Sequence, residues 1–251
     1  MTQKLRPLVD ADYIMYRIGF AVGEDEPIEY ALSTVKHAVN NIWDRYGQQG
    51  TLYLTGKGNY RDEIATIQVY KGNRDPNNKP FYYQEIKDYL IAIHGAVVIE
   101  GMEADDKVGI EQYTAKNRDT IIVGQDKDLD MIPGWHYNPV KDVQYYVNMK
   151  EANYNFFVQL LTGDRTDNIR GIDGLGPKKA AALLQGVDSW EQMMAICLVQ
   201  YQKQHVGCGL EALHENATLL WIQRKENINY DGTKIRPTQS NENWEEDTIP
   251  Y

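Results

Sequence analysis

The sequence predicts an α/β protein: a doubly wound, mostly parallel sheet followed by a C-terminal helical region. Three observations carry this. "AVVIEG" and "TIIVGQ" are short, continuous apolar runs flanked by turn residues, which suits strands buried on both faces. Stretches of helical spacing alternate with strand-like runs through about residue 130, the order that builds a parallel sheet with helices on its faces. After residue 150 the pattern is helical.

Taken in order, "RPLVDADYIMYRIG" predicts a strand ending at Asp10 and a helix carrying Tyr13 to Ile18. Apolar residues at 28, 31, 32, 35, 38, 39, 42, 43 and 46 have helical spacing, and Gly47 supplies a stop. "TLYLTG" is a second strand, and residues 56–79 are polar and loop-like. "PFYYQEIKDYLIAIHG" follows as a helix, with Pro80 near its first turn and Gly95 near its end. "EADDKVGIEQYTAKN" is a helix between the two apolar runs, and "WHYNP" and "VQYYV" add strands at one edge. Helices are expected over 151–163, 177–185, 188–205 and 209–226, then a polar tail from 227 that ends "NENWEEDTIPY". This divides the chain into a core over 1–150 and a helical region over 151–251.

The 251 residues are 42% apolar and 25% charged, an ordinary globular composition. No apolar run reaches 18 residues; "YLIAIHGAVVIEG" is interrupted by His94 and Gly95. "MTQKLRPLVDAD" lacks a signal-peptide core, so a soluble, cytoplasmic protein without membrane association is expected; a monomer is expected as well. Two cysteines, Cys197 and Cys208, make no disulfide framework and lack the paired short spacings of structural zinc. The net charge of −10 argues against a nucleic-acid partner if the acids are spread over the surface, but not if they converge on bound cations.

The acids do fall in a pattern. Asp10 ends the first strand; Glu103, Asp105 and Asp106 follow "AVVIEGM" and open a helix; Asp126 and Asp128 follow "TIIVG". Asp164 and Asp167 lie in "LTGDRTDNIRG". In open α/β sheets ligands bind beyond the carboxyl ends of the strands, where most of these groups belong. Each group alone has a plain explanation, helix-dipole capping or a solvated turn. Together they would repel one another strongly unless cations were bound. Carboxylates with water select hard ions such as Mg²⁺ or Mn²⁺, and eight groups suit two ions. Two such ions roughly 3.5–4 Å apart serve in-line attack on a phosphodiester. Asp12 and Asp130 read as neighbours of this set.

"NIRGIDGLGPKKAAALL" is the second informative stretch. Gly171, Gly174 and Gly176 permit tight turns and close backbone approach, and Pro177 starts a helix with Lys178 and Lys179 in its first turn. Lysines there oppose the helix dipole, so local stability does not explain them, whereas phosphate binding without sequence readout does. Lys71 and Arg74 in "YKGNRD", preceded by Lys57 and Arg61, form another basic group. "PFYY" (80–83) offers aromatic faces for stacking bases, or core packing.

In order along residues 8–185, "LVDADYIMYR", "YKGNRD", "GMEADD", "IIVGQDKDLD" and "LTGDRTDNIRGIDGLGPKKA" resemble the 5′-nuclease family. That family comprises flap endonucleases, phage 5′→3′ exonucleases and the 5′-nuclease domain of bacterial DNA polymerase I. The layout looks most like the phage members. The resemblance implies a PIN-like core and two divalent ions among Asp10, Glu103, Asp105, Asp126 and Asp128, with Asp164 and Asp167 completing the set of ligands to the second ion and Asp106 a nearby supporting acid. It implies that Lys71 and Arg74 engage the scissile phosphate and that Tyr16 packs near the terminal nucleotide. A helix–two-turn–helix element at about 160–186, with its turns and lysines in 171–179, would grip duplex DNA and hold K⁺ on its carbonyls. The implied activity is two-metal hydrolysis of DNA near a 5′ end or flap, in phage replication or repair. RNA-primer removal and non-catalytic, structure-selective DNA binding are the alternatives. The pattern departs from the family at the end of the second strand, where an aspartate is usual and Thr55 and Gly56 stand here. This predicts a first ion held by fewer carboxylates and more water. The short stretch between Arg74 and Glu103 leaves little room for a long helical arch.

Overall fold

Strand residues alternate between two apolar layers. In β1 (Arg6–Asp10) Val9 belongs to one layer and Leu8 to the other; in β2 (Thr51–Asn59) Leu52 and Leu54 oppose Tyr53; in β4 (Thr120–Val123) Ile121 and Val123 oppose Ile122. The first layer is closed by α1 (Asp12–Ala21), α2 (Ile28–Tyr46) and α4 (Tyr83–His94), and the second by α5 (Ala104–Thr114). A strand covered on both sides must be apolar at every position, which is why these segments read as continuous runs. The structure, a computed structural model, describes residues 4–75, 77–116 and 118–235. The expected tail "NENWEEDTIPY" lies outside them.

The six-stranded sheet has the order β3-β2-β1-β4-β5-β6, with β3 at Val97–Gly101, β5 at Gly134–Asn138 and β6 at Val143–Val147. All pairings are parallel except β5 with β6, an antiparallel hairpin at the edge. "AVVIEG" departs from expectation: β3 is the opposite edge strand and is largely exposed, so its apolar run is not buried on both faces. The polar segment from 56 is also not all loop, because β2 continues to Asn59, with a register shift after Thr55, and α3 (Tyr60–Ile64) follows.

Beyond the sheet, α6 (Met149–Thr162) leads into a two-stranded ribbon, β7 (Gly163–Asp164) with β8 (Ile169–Arg170), then α7 (Pro177–Leu184), α8 (Trp190–Gln204) and α9 (Gly209–Leu220). Their core is aromatic: Phe156 stacks on Trp190 at 5.5 Å and meets Trp221 edge-on. Met131 and Tyr70, which precede α6 in the chain, are buried in the same core. The last helix ends at Leu220, earlier than its apolar spacing predicts. Residues 221–224 instead run, buried, back against α5: Ile222 joins the second sheet layer and the Gln223 N–H donates to Asp106. No helix among the described residues is long and apolar enough to cross a membrane.

Candidate active site

From β1 the sheet extends one way through β2 to β3, and the chain returns to the other side of β1 at β4. A crevice opens beyond the strand ends at such a reversal. Asp10 is the last residue of β1, and Asp126 and Asp128 follow β4, so the reversal itself brings them together. Glu103 is the N-cap of α5, with Asp105 in its first turn. Asp126 accepts the Asp128 N–H at 2.9 Å. Asp164, at the end of β7, accepts from the Thr166 N–H at 2.6 Å, the Asp167 N–H at 3.2 Å and Gln159 Nε2 at 3.0 Å. Glu103, Asp105, Asp126, Asp128, Asp164 and Asp167 line one cleft of about 110 Å³ with Lys71 and Arg74, room for ions and several waters.

The charges in this cleft are unevenly balanced. On one side, Glu103 is met by the Lys71 ammonium, by the Tyr70 hydroxyl at 3.1 Å, by Asn59 Nδ2 at 3.0 Å and by Arg61 at 4.0 Å. Burial opposes its ionisation, yet Arg61 and Lys71 hold its carboxyl below the usual range. Asp167 accepts from Arg74 at 2.6 Å and from the Tyr70 hydroxyl at 2.9 Å, yet burial, with Glu103 nearby, still raises its carboxyl against the pull of Lys71 and Arg74. On the other side, burial and then neighbouring acids raise Asp10 and Asp105 well above the ordinary carboxylate range. Asp128 is pushed up to about 7, first by burial and next by Asp126. No hydrogen bond reaches Asp105 among the described residues.

An all-carboxylate donor set short of cations has the chemistry of a hard divalent-ion site. The fit is one of chemistry rather than of closed geometry: among the described residues, no three acids are drawn together tightly enough to enclose an ion.

Asp106 is a correction to the expected ligand set. It is fully buried and accepts from both terminal nitrogens of Arg61 at 2.6 and 2.9 Å. It also takes the Gln223 N–H at 3.0 Å. Arg61 is buried as well and donates to the Leu219 and Trp221 carbonyls, so it leaves the exposed basic group. A planar guanidinium meeting a carboxylate in this bidentate way is the preferred form of a buried ion pair.

The gap at the second strand also changes character. Both oxygens of Asp12 accept from the Thr55 N–H, at 3.2 and 3.3 Å, while Thr55 Oγ1 accepts the Ala104 N–H at 3.0 Å. Asp12 thus brings a carboxylate from the neighbouring strand end to the place where β2 lacks one. A Cβ added at Gly56 would sit 2.6 Å from the Ile99 carbonyl oxygen and 2.7 Å from Glu100 Oε1, so the register shift itself requires glycine there. Burial raises Asp12 too. Asp130, by contrast, accepts from the Tyr145 hydroxyl at 2.7 Å and belongs to the β5–β6 edge.

One further residue, Tyr70, is not singled out by sequence reasoning, although a signal existed beside Lys71. Tyr70, inside "YKGNRD", is buried with its hydroxyl between Glu103 and Asp167. Lys71 has a φ of 53°, uncommon outside glycine, and its N–H donates to the Asp167 carbonyl at 2.9 Å. Tyr16 lies on α1, outside the lining of the acidic cleft, and packs against Tyr83 and Phe20.

The glycine-rich turns separate into two roles. Gly171 is buried, and a Cβ there would lie 2.2 Å from the Thr162 carbonyl carbon, so it serves packing against the start of β7. Gly174 (φ 73°) and Gly176, the N-cap of α7, are exposed with open space around them, as are Lys178 and Lys179. The Lys179 ammonium donates to the Gly174 carbonyl at 2.9 Å, placing a cation on one of the turn carbonyls.

No family profile matches the chain. Among curated proteins it is 27% identical over 210 residues to DNA polymerase I of Caldicellulosiruptor bescii, covering 74% of this chain and 25% of that protein. It is 25% identical over 216 residues to a 5′-3′ exonuclease of Mycoplasma pneumoniae, covering 75% and 74%. The chain therefore spans about a quarter of the polymerases it matches. Among solved structures, a bacteriophage T5 flap endonuclease in a complex with DNA and metal ions superposes with a TM-score of 0.57 at 15% identity, covering 85% of this chain and 98% of that one.

Proposed function

We propose that this chain, which is homologous to the 5′-nuclease family, hydrolyses DNA phosphodiesters near a 5′ end. One observation carries the reading: at the point where the sheet reverses, acids short of cations share a cleft with Lys71 and Arg74. The T5 relative's complex with DNA and metal ions is consistent with it.

Asp10, Asp12, Glu103, Asp105 and Asp126 would hold one ion, partly through water, and Asp128, Asp164 and Asp167 a second. When bound, divalent ions lower the barrier by offsetting phosphoryl charge and by making water nucleophilic at neutral pH. The chain's own groups do the rest. Lys71 and Arg74 add positive charge at the cleft for the scissile phosphate. Tyr70 fixes Glu103 and Asp167 relative to each other, which keeps the two halves of the acid set in register. Exposed Gly174, Gly176, Lys178 and Lys179 hold duplex backbone away from the cut without reading sequence.

The test uses labelled duplexes bearing a 5′ flap, a recessed 5′ end or a 5′ RNA segment, each with Mg²⁺, Mn²⁺ or EDTA. Metal-dependent release of short 5′ products from the DNA substrates is expected, with Asp126→Asn lowering the rate at least about a thousandfold, or roughly 4 kcal/mol of barrier. Binding without cleavage under every condition would sink the reading, and exclusive cleavage of the RNA segment would redirect it to primer removal.

A further inference from the structure

We propose that the cavity behind the 221–224 segment is a second ligand site, built for a free nucleoside monophosphate. Its aromatic wall takes the base, and Arg224 with Lys225 takes the phosphate. The site is separate from the acidic cleft and stands or falls independently of the nuclease reading.

Four parts of the chain converge on this cavity of about 370 Å³: Tyr113 of α5, Asn153 of α6, Trp190 of α8 and the segment from Trp221 to Gly232. The volume falls within the roughly 300–1,000 Å³ of small-ligand sites. The segment is a wall between two sites. Leu219, Leu220 and Ile222 line the acidic cleft, whereas Trp221, Arg224 and Lys225 line this cavity. Past Lys225 the chain doubles back in a turn that brings Tyr230 to the cavity. That turn is closed by the bridge of Ile228 with Lys234, and by the Asn229 N–H donating to the Thr233 carbonyl at 2.8 Å.

Two polar groups in the wall are unfinished. Arg224 is 9% exposed, and only neutral groups hold its guanidinium. Nε and Nη2 donate to the Met131 carbonyl at 3.2 and 2.7 Å, and Nη1 donates to Asn153 Oδ1 at 2.8 Å and Met149 Sδ at 3.3 Å. No carboxylate pairs with it among the described residues, in contrast to Arg61, which is also buried but has Asp106. A buried cation without a counter-anion is costly, and burial pushes Arg224 down to about 10. Trp221 is 5% exposed, and its Nε1–H has no partner among the described residues, although buried indole N–H groups usually find one. An anion seated here would supply the missing charge and the missing acceptor. Lys225, exposed where it lines the cavity, adds a second cation.

The aromatic wall selects among anions. Trp190 stacks on Phe156 with an interplanar angle of 2° and stays partly exposed, as does Tyr113. The Arg224 guanidinium lies 4.6 Å from the centre of the Trp221 ring. Inorganic phosphate alone would leave the rings bare, and a neutral base would leave Arg224 uncompensated. Asn153, whose Oδ1 is taken by Arg224, keeps Nδ2 as a donor to a base carbonyl or ring nitrogen, which a plain aromatic carboxylate lacks. A planar base joined to a phosphate meets all three demands.

Calorimetric titration of the full chain in EDTA tests this, with thymidine monophosphate (dTMP), dAMP, AMP, thymidine and inorganic phosphate as probes. Without metal, the acidic cleft repels phosphate. The nucleotides should bind with Kd below about 1 mM, and thymidine and inorganic phosphate at least about tenfold more weakly. The relative affinities of dAMP and AMP tell a DNA-cleavage product from the ribonucleotide pool as the source, and saturable binding of either supports the site. Lys225→Ala, at an exposed position, should weaken dTMP binding about fivefold, and Arg224→Gln more than about tenfold, with the fold checked by circular dichroism. Asp126→Asn should leave dTMP affinity unchanged. The proposal is overturned by absence of saturable nucleotide binding, by inorganic phosphate binding as tightly as dTMP, or by undiminished affinity in both Lys225→Ala and Arg224→Gln. A loss in Asp126→Asn equal to that in Lys225→Ala would overturn it too, by moving the nucleotide to the acidic cleft.

Discussion

Asp105 and Asp106 are adjacent in the first turn of α5, yet they live in opposite electrostatic surroundings. Asp106 turns inward to Arg61 and the 221–224 segment, where every demand of its carboxylate is met by the protein. Asp105 turns to the cleft, where Asp10, Asp126 and Glu103 are its strongest charged neighbours. One half of the acid set is thus a finished structural device, and the other half is frustrated until a cation arrives. A helix presents successive residues about 100° apart, so a run of acids cannot all serve one ligand. The frustrated half is where function is expected, because a fold tolerates such repulsion only where a ligand relieves it.

The contrast breaks most sharply at the finished half. Arg61→Ala should destabilise the chain by about 3–5 kcal/mol in urea unfolding, since it leaves Asp106 buried and unpaired. Arg61→Met with Asp106→Leu should recover most of that loss, because an apolar pair removes both desolvated charges. If the single substitution is neutral, the pair is not structural. Asp105→Asn should act in the opposite direction on the metal-free protein, raising its urea midpoint while abolishing stabilisation by Mn²⁺.

A smaller effect tests the stand-in acid. Asp12→Asn should raise the Mn²⁺ concentration needed for half-maximal thermal stabilisation about tenfold. Gly56→Asp should not restore it, because the added side chain collides with the β3 backbone. Restoration by Gly56→Asp would return the missing acid to the second strand.

The smallest effect is on pH. Asp10, Asp12, Asp105, Asp128 and Asp167 have raised values in the folded state, Asp128 at about 7. Between the ordinary value near 3.8 and 7, the folded chain binds more protons than the unfolded one, so stability falls as pH rises through that window. In EDTA the melting temperature should be higher at pH 5.5 than at pH 8, and saturating Mn²⁺ should reverse the order. Glu103 and Asp164, held below the usual range, titrate at lower pH and do not disturb this interval. A flat profile in EDTA would mean that the acids are already compensated.

Much of this was legible beforehand. The apolar runs located β1 and β4, and an acid following each of them marked the crevice, because strand ends and ligand sites coincide in such sheets. β3 misled because an edge strand and a central one can carry the same short apolar run, and only pairing tells them apart. The last helix ends early because the apolar residues at 221 and 222 continue its spacing but find burial elsewhere, Trp221 among the aromatic residues of the helical core and Ile222 against α5. The place of Asp12 beside the end of β2 is not legible in the sequence, because its partner, the Thr55 N–H, is 43 residues away and belongs to no local pattern.

The sequence by itself determined the order of elements, the acids at the strand ends, the paired basic residues of "YKGNRD" and the glycine–lysine turns. All of these depend on local spacing, which the chain carries in one dimension. Only the tertiary structure decided which acids face a cleft and which face a guanidinium, that Gly171 packs while Gly174 and Gly176 are exposed, and that Tyr83 packs against Tyr16 of α1. Those outcomes depend on burial and on partners brought from distant positions, and charge compensation is a property of the surroundings rather than of the residue.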